Sequence, residues 1–181
     1  YFLSFALNNK LTKPFWLRKI KKILKSEQKK FNISLAGGDT TSSSKLVVTI
    51  VVLGNSKNKP VFRHTSVLND DVYVTGNIGD SFLGLNVLKK KNDFGKFNSF
   101  FIKKYHEPEL QMKISPYLNK IASASIDISD GLAQDLSHLC AASKCGAFVD
   151  LNLLPISSVC RILINKKKIH LKNIFSKGDD Y

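Results

Sequence analysis

The stretch Ser125-Ile-Asp-Ile-Ser-Asp-Gly-Leu132 joins two segments whose hydrophobic residues follow different periods. Before and into it, residues 121–126 are small and apolar, as is typical of a buried strand. After it, leucines recur at the spacing of one helix face. The pattern therefore predicts a strand that leads into a helix over residues 130–144, which indicates a protein of mixed α and β structure.

The polar residues of this junction form a candidate phosphate and metal site. Asp127, Ser129 and Asp130 supply two carboxylates and a hydroxyl, and oxygen ligands of this kind suit Mg²⁺. Free backbone N–H groups at a helix start, together with the positive end of the helix dipole, favour anions, and Gly131 leaves that backbone accessible. By itself the motif is equally compatible with a turn aspartate followed by an ordinary helix cap.

Two more clusters of glycine and aspartate occur elsewhere in the chain. One is Leu35-Ala-Gly-Gly-Asp-Thr-Thr41, and the other is Lys177-Gly-Asp-Asp-Tyr181. Three such clusters, each following a strand or an apolar segment, favour related sites over three unrelated turns. The sequence contains no Gly-x-x-x-x-Gly-Lys-Ser/Thr motif, so any nucleotide site would differ from that of P-loop proteins.

Hydrophobic periodicity and turn residues predict the other elements. An amphipathic helix is expected over residues 13–30, with Thr12 as its N-cap and Pro14 in its first turn. A short strand at 33–36 should end in a turn at Gly37–Asp39. The remaining predicted elements are strands at the first residues and at 46–53, 72–75 and 147–151, helices at 80–91 and 109–122, the latter interrupted at Pro116, and a helix after Pro155.

The net charge of +14 raises the question of nucleic-acid binding. Nearly all the basic residues are lysines, in runs on predicted helices and loops, and few aromatic residues lie between them to stack on bases. We therefore interpret the runs as solvated faces and expect no nucleic-acid partner.

Composition also bears on the cellular compartment. With 43% hydrophobic residues, the 181-residue chain can bury a core. No apolar run reaches the ~18 residues of a membrane span, so we expect no membrane association. The three cysteines have no paired metal-site spacing, which fits reduced thiols, and we expect a cytoplasmic enzyme.

Taken together, these motifs resemble the thiamine-monophosphate kinase family, in the superfamily that includes aminoimidazole ribonucleotide synthetase and selenophosphate synthetase. The resemblance extends along nearly the whole chain in the same order. Asp39 favours the kinase branch, because the synthetase branch has Glu at this position. The segments that carry the resemblance are 1–7, 37–41, 46–54, 72–76, 79–81, 125–132, 146–151, 154–156 and 177–181.

The resemblance implies roles for individual residues and leaves no protein group as a chemical catalyst. It implies ATP contacts from Gly38, Asp39, Arg63 and Ser129, metal contacts from Asp39, Asp127 and Asp130, and a substrate contact from Asp179. The chain differs from the family where His64-Thr65 replaces Ser-Gly and where Lys177-Gly-Asp179 replaces Gly-Gly-Glu. Pro116 also interrupts a helix that is regular in the family.

The implied fold is an α+β, two-domain PurM-like fold. Residues 1–60 would be the remainder of an N-terminal domain that binds ATP and dimerises, and residues 61–181 an incomplete C-terminal domain. The chain would thus be an internal fragment lacking both ends.

The implied activity is Mg²⁺-assisted transfer of a phosphoryl group from ATP to thiamine monophosphate, by a homodimer. Two alternatives remain: a nucleotide-binding relative without turnover, or a superfamily enzyme that uses ATP on another acceptor. A basic nucleic-acid binder is a third, less favoured, reading.

Overall fold

The computed structural model describes residues 1–8, 10, 13–56, 59–178 and 180. The chain divides into two compact units, Tyr1–Lys57 and Asn58–Tyr181, called here unit 1 and unit 2. None of the helices that the structure describes combines the length and hydrophobicity needed to span a bilayer.

Unit 1 is a three-stranded sheet with one long helix. Its elements are β1 (Phe2–Leu7), α1 (Pro14–Phe31), β2 (Gly37–Ser42) and β3 (Val47–Val51). The strand order is β2-β1-β3, with β2 parallel and β3 antiparallel to the central β1. The helix predicted at 13–30 is confirmed, with Pro14 in its first turn. The predicted N-cap, Thr12, lies outside the described residues.

The α1 helix packs against the central strand β1 on one face of the sheet. Leu3 and Leu7 are buried on β1, and Phe5, which shares their face because side chains alternate along a strand, meets Trp16 edge-on at a centroid distance of 6.1 Å. Trp16 is therefore a packing residue, as its helical spacing predicts.

The turn predicted at Gly37–Asp39 is wrong, because these residues lie inside β2. Gly38 pairs with Leu3 in the parallel ladder, and a Cβ atom at Gly38 would overlap the Leu3 carbonyl group. The paired glycines thus allow two backbones to approach closely, a requirement that resembles a turn signal in the sequence.

Unit 2 is helical in the part that the structure describes. Its helices are α2 (Asp80–Leu88), α3 (Asn98–His106), α4 (Leu118–Ile121), α5 (Leu132–Ser143), α6 (Ser158–Asn165) and α7 (Leu171–Phe175), with short 3₁₀ turns at Gly95–Phe97 and Leu151–Leu153. The core is built mainly from α2, α3, α6 and α7; its most buried side chains are Ile78, Leu83, Phe101, Cys160, Leu163 and Ile174.

Three segments predicted as strands, 72–75, 121–126 and 147–151, are not strands in the described part of unit 2. Tyr73 and Phe148 are 87% and 91% exposed. Strand propensity produces a strand only where a neighbouring strand supplies hydrogen bonds, and the sheet lies in unit 1.

The helices predicted in unit 2 occur at the predicted positions, but their predicted lengths are less accurate. The long helix predicted at 109–122 is reduced to the four residues of α4, which follow Pro116, because proline interrupts the hydrogen-bond ladder. The helix predicted at 80–91 ends at Leu88. The α5 helix ends at Ser143, and its C-cap, Lys144, adopts the left-handed conformation.

Candidate functional site

The loop of residues 127–131 lies immediately before α5 and presents its acidic side chains to solvent. Ile128 packs against the unit 2 core, whereas Asp127 and Asp130 are exposed and Ser129 is half-buried. Among the described residues, no hydrogen bond or ion pair involves the Asp127 side chain. One partly buried aliphatic residue therefore anchors a loop whose carboxylates face outward.

Asp135 holds the backbone of this loop. It lies in the first turn of α5, is only 3% exposed, and its Oδ2 accepts hydrogen bonds from the N–H groups of Asp130 at 3.0 Å and Gly131 at 3.1 Å. The prediction of free N–H groups at this helix start is therefore wrong for these two amides. The sequence signal for this arrangement is the acidic residue in the first turn of the predicted helix, because such a residue often accepts the N–H groups at the helix start.

The Asp130 carboxylate has a second neighbour on α5. Gln134 Nε2 donates a hydrogen bond to Asp130 Oδ2 at 3.2 Å, which orients the carboxylate at the protein surface. The loop thus combines an oriented acid at 130 with an unpaired acid at 127, both made of oxygen donors suitable for hard cations.

The segment that contains Arg63 is tied to the residues that lead into this loop. Thr65 Oγ1 donates hydrogen bonds to the carbonyls of Ser123 at 2.6 Å and Phe62 at 3.1 Å. Ser125 N–H donates to the Phe62 carbonyl at 3.3 Å. Arg63 is exposed. The structure therefore brings the Arg63 segment beside residues 123–125, which lead to Asp127, although about sixty residues separate the two segments in sequence.

Thr65 is one of the two residues that replace the Ser-Gly of the family pattern, and its hydroxyl forms these hydrogen bonds. The other, His64, stacks on Phe62 with ring centroids 5.1 Å apart. The C-terminal end of α5 adds a further contact, since Ser143 Oγ donates to the Arg63 carbonyl at 3.2 Å. The sequence marked Thr65 as a difference and did not identify it as a contact.

The segment 177–178 crosses the loop at close range. A Cβ atom at Gly178 would lie 2.6 Å from Gly131 N, and one at Gly131 would lie 2.8 Å from the Lys177 carbonyl carbon. Real Cβ atoms do not approach so closely, so both positions require glycine. Gly178 is therefore a packing position, which the sequence motif contained without indicating this contact.

Asp180 joins the same segment to the start of α2. Its carboxylate accepts hydrogen bonds from Gly79 N–H at 2.6 Å and Ser81 N–H at 3.4 Å. Next to it is a polar cavity of about 60 Å³. The cavity is lined by Thr75, Gly76, Asn77, Asp80, Ser81, Lys104, Pro108, Glu109, Gln111 and Asp180.

Asp80 is a buried acid beside this cavity. It is 3% exposed, its Oδ1 accepts a hydrogen bond from Ser157 Oγ at 2.7 Å, and its Oδ2 has no hydrogen-bond partner. Burial raises the pKa of Asp80 above its usual range, although Ser157 and Lys104 oppose this. Because Oδ2 is also closed to solvent, a ligand in the cavity could not reach it without rearrangement.

Cys160 lies in the core near these acids. It is fully buried, and burial together with Asp80 and Asp180 raises the pKa of its thiol to about 12. All three cysteines are free thiols. The Cys160 thiol is therefore a packing group at neutral pH.

In unit 1, the predicted ATP and metal residues lie on β2. Gly38 is fixed by its contact with β1, and the exposed Asp39 accepts a hydrogen bond at Oδ1 from the N–H of Thr40 at 2.7 Å. Within the residues that the structure describes, no three His, Cys, Asp or Glu side chains are grouped as a metal site. Asp179, the predicted substrate contact, lies outside the described residues.

Comparison with known proteins identifies solved structures that share this fold. No protein-family model matches the chain. The thiamine monophosphate kinase of Aquifex aeolicus superposes with a TM-score of 0.84 at 24% identity, covering 99% of this chain and 62% of that one. A structure described as AaThiL complexed with AMPPCP and TMP superposes with a TM-score of 0.83 at 25% identity, covering 99% and 58%. The chain thus has the α+β, PurM-like fold of these kinases.

Sequence similarity leads to the same family. The thiamine-monophosphate kinase of Buchnera aphidicola subsp. Schizaphis graminum is 37% identical over 171 residues, which are 92% of this chain and 52% of that protein. The chain is a homologue of the thiamine-monophosphate kinases and spans about half the length of the curated relatives it matches.

Proposed function

We propose that the protein transfers the γ-phosphoryl group of ATP to thiamine monophosphate and forms thiamine diphosphate and ADP. The observation that carries this proposal is the homology over 92% of the chain to a thiamine-monophosphate kinase. The likeness to AaThiL complexed with AMPPCP and TMP supports the two substrates. The exposed acids of the 127–131 loop support the same chemistry in this chain.

The transfer is a direct, in-line displacement. A phosphate oxygen of thiamine monophosphate attacks the γ-phosphorus of ATP, the bond from that phosphorus to the β,γ-bridging oxygen breaks, and ADP leaves with the electron pair. Such a reaction depends on positioning and on neutralising oxygen charge, and it needs no protein nucleophile. This agrees with a site made of acids, glycines and one arginine.

The acids of both units are the proposed metal residues. Asp127 and Asp130 are exposed carboxylates of the 127–131 loop, and Asp39 is an exposed carboxylate on β2. Carboxylate oxygens are ligands that fit Mg²⁺. When bound, Mg²⁺ would neutralise charge on the phosphoryl oxygens. Asp135 contributes indirectly, because it fixes the backbone of Asp130.

The remaining proposed contacts are with the two substrates. Gly38, Asp39, Ser129 and Arg63 are assigned to ATP, and Asp179 to thiamine monophosphate. An exposed guanidinium suits phosphate oxygens because it can donate two parallel hydrogen bonds, and the ties of Thr65 hold the Arg63 backbone near the approach to Asp127.

We also propose that the protein forms a homodimer through the sheet face opposite α1. Phe2 pairs with Val51 across the sheet, so their side chains lie on one face. Val47, four residues before Val51, lies on the same face because side chains alternate along a strand. These residues are 41%, 49% and 52% exposed, and an apolar patch of this kind indicates an interaction surface.

The dimer is tested by analytical sedimentation. The Val47→Asp variant should sediment as a monomer, whereas the control variant Val72→Asp should sediment as a dimer. A monomeric unmodified protein would contradict the proposal.

The activity is tested by measuring thiamine diphosphate formation from ATP and thiamine monophosphate with Mg²⁺ in the intact protein. Asp127→Asn should lower kcat by at least about a hundredfold, since one charged ligand of the phosphoryl site is removed. Asp71→Asn is the matched control, because Asp71 is also an exposed aspartate of unit 2. Binding of Mg-ATP without turnover in the unmodified protein would favour the non-catalytic relative or another acceptor.

A further inference from the structure

The segment 177–180 contacts two separate parts of unit 2. Gly178 packs on the backbone of residues 129–131 so closely that no side chain fits between them. Two residues later, Asp180 reaches the first turn of α2. One short segment therefore connects the loop that carries the proposed phosphate and metal residues with the N-terminus of a nine-residue helix.

The contact at α2 is strong for a single side chain. Both carboxylate oxygens of Asp180 accept backbone N–H groups, those of Gly79 and Ser81, and hydrogen bonds to a charged acceptor are stronger than those between neutral groups. The positive end of the helix dipole adds to the attraction. Asp180 is half-buried, which limits competition from water.

The two sides of the segment differ in what else supports them. The 127–131 loop is held independently by the Ile128 core contact and the Asp135 hydrogen bonds. At α2, the left-handed Gly79 packs against the buried Ile174 of α7. The 127–131 loop and the start of α2 therefore have contacts that do not involve Asp180, whereas Asp180 is the residue that links Lys177 and Gly178 to α2.

We propose that Asp180 is a positioning residue that holds Lys177 and Gly178 across the 127–131 loop and so sets where the acceptor substrate lies relative to ATP. This inference rests on the proposed function, in which the neighbouring position 179 contacts thiamine monophosphate. Loss of the Asp180 contact would release the residues next to the thiamine monophosphate contact. Asp135 and Ile128 would still hold the 127–131 loop, which includes the ATP contact Ser129.

The first test of this inference does not depend on activity. Lys177 is exposed, and trypsin cleaves after lysine, but the Lys177–Gly178 backbone is pressed against Gly131. Asp180→Ala should raise the rate of tryptic cleavage at this bond by about tenfold or more, as expected for the loss of charge-assisted hydrogen bonds. Asp180→Asn keeps one acceptor oxygen and should give an intermediate rate.

The second test separates positioning from stability. In Asp180→Ala, the KM for thiamine monophosphate should rise by about tenfold, while the KM for ATP changes by less than about twofold. Asp150→Ala is the matched control, since Asp150 also caps a helical turn by accepting Asn152 N–H at 2.9 Å and lies outside the 177–180 segment. It should leave both KM values unchanged.

The outcomes distinguish this inference from the proposed function. Unchanged cleavage at Lys177, or an equal rise in both KM values, would overturn the positioning role. Faster cleavage in a protein whose unmodified form makes no thiamine diphosphate would support the fastening by Asp180 and contradict the proposed function. If Asp180→Ala does not fold, Asp180→Asn provides the same two measurements.

Discussion

Asp135 accepts the Gly131 N–H at 3.1 Å from one turn further along the chain, and the same oxygen accepts the Asp130 N–H. The acid that shapes the 127–131 loop is thus a buried residue of the helix that follows it. Asp127 and Asp130, which carry the loop's exposed charge, are free to meet a ligand because Asp135 satisfies the backbone.

Asp135→Ala should destabilise the protein by about 2 kcal/mol or more, because two N–H groups lose their acceptor in a buried site. Urea unfolding measures the change. Asp150→Ala is the comparison, since it removes an exposed cap whose loss costs about 1 kcal/mol. A loss in Asp135→Ala no larger than that of the control would contradict the role assigned to Asp135.

Gly178→Ala should be far more harmful than Gly146→Ala. The added methyl group at 178 would overlap the backbone of residues 129–131, whereas at 146 it would meet nothing within 4 Å. We expect a loss of about 1–3 kcal/mol at 178 and a change near zero, or a small gain, at 146. Thermal unfolding of both variants checks this, and equal effects would show that the close crossing is absent in solution.

The pH dependence of stability should contain a contribution from Asp80. Its pKa is raised from 3.8 because the folded chain buries it, so the folded state holds the proton more tightly than the unfolded state. The contribution is fully present below pH 3.8 and is lost as the pH rises through the folded pKa.

The Asp80→Asn variant isolates this contribution. The free energy of unfolding of Asp80→Asn minus that of the unmodified protein should therefore increase with pH, because only the unmodified protein must charge a buried carboxyl group. Other acids are present in both proteins and cancel. Urea unfolding at several pH values provides the measurement, with Asp71→Asn as an exposed control. A difference that is independent of pH would refute the burial effect.

Thr65→Val should weaken ATP binding if Arg63 acts on phosphate. The substitution removes the hydrogen bonds to Ser123 and Phe62 at nearly constant volume. The hydroxyl shares its one proton between these two carbonyls, so its loss costs about 1 kcal/mol, and the KM for ATP should rise by about three- to tenfold. Thr49→Val, on the exposed strand β3, should not change it. An unaltered KM for ATP in Thr65→Val, with a raised one in Arg63→Ala, would mean that Arg63 is positioned without this tie.

Local pattern predicted several parts of this molecule correctly. The α1 and α5 helices follow from leucine, isoleucine and tryptophan residues recurring at helical spacing, because a helix satisfies its hydrogen bonds within the segment itself. The same spacing predicted Trp16 as a packing residue. The exposed acids of the 127–131 loop also follow from their position between a buried residue and a helix start.

Predictions failed where an outcome depended on a distant partner. Residues 72–75 and 147–151 have strand-like composition, but strand formation requires a second strand, and no ladder includes them. Gly38 carries a turn signal, yet Leu3, brought alongside by the parallel pairing, makes it a strand residue.

The sequence by itself determined the α1, α2, α5 and α6 helices, the acidic loop and the kinship with the thiamine-monophosphate kinases. Only the tertiary structure decided that Thr65 ties the Arg63 segment to Ser123, and that Gly178 crosses Ser129 while Asp180 caps α2. These contacts join residues from about fifty to a hundred positions apart. Local periodicity cannot encode them, because they arise from packing the helices around one core.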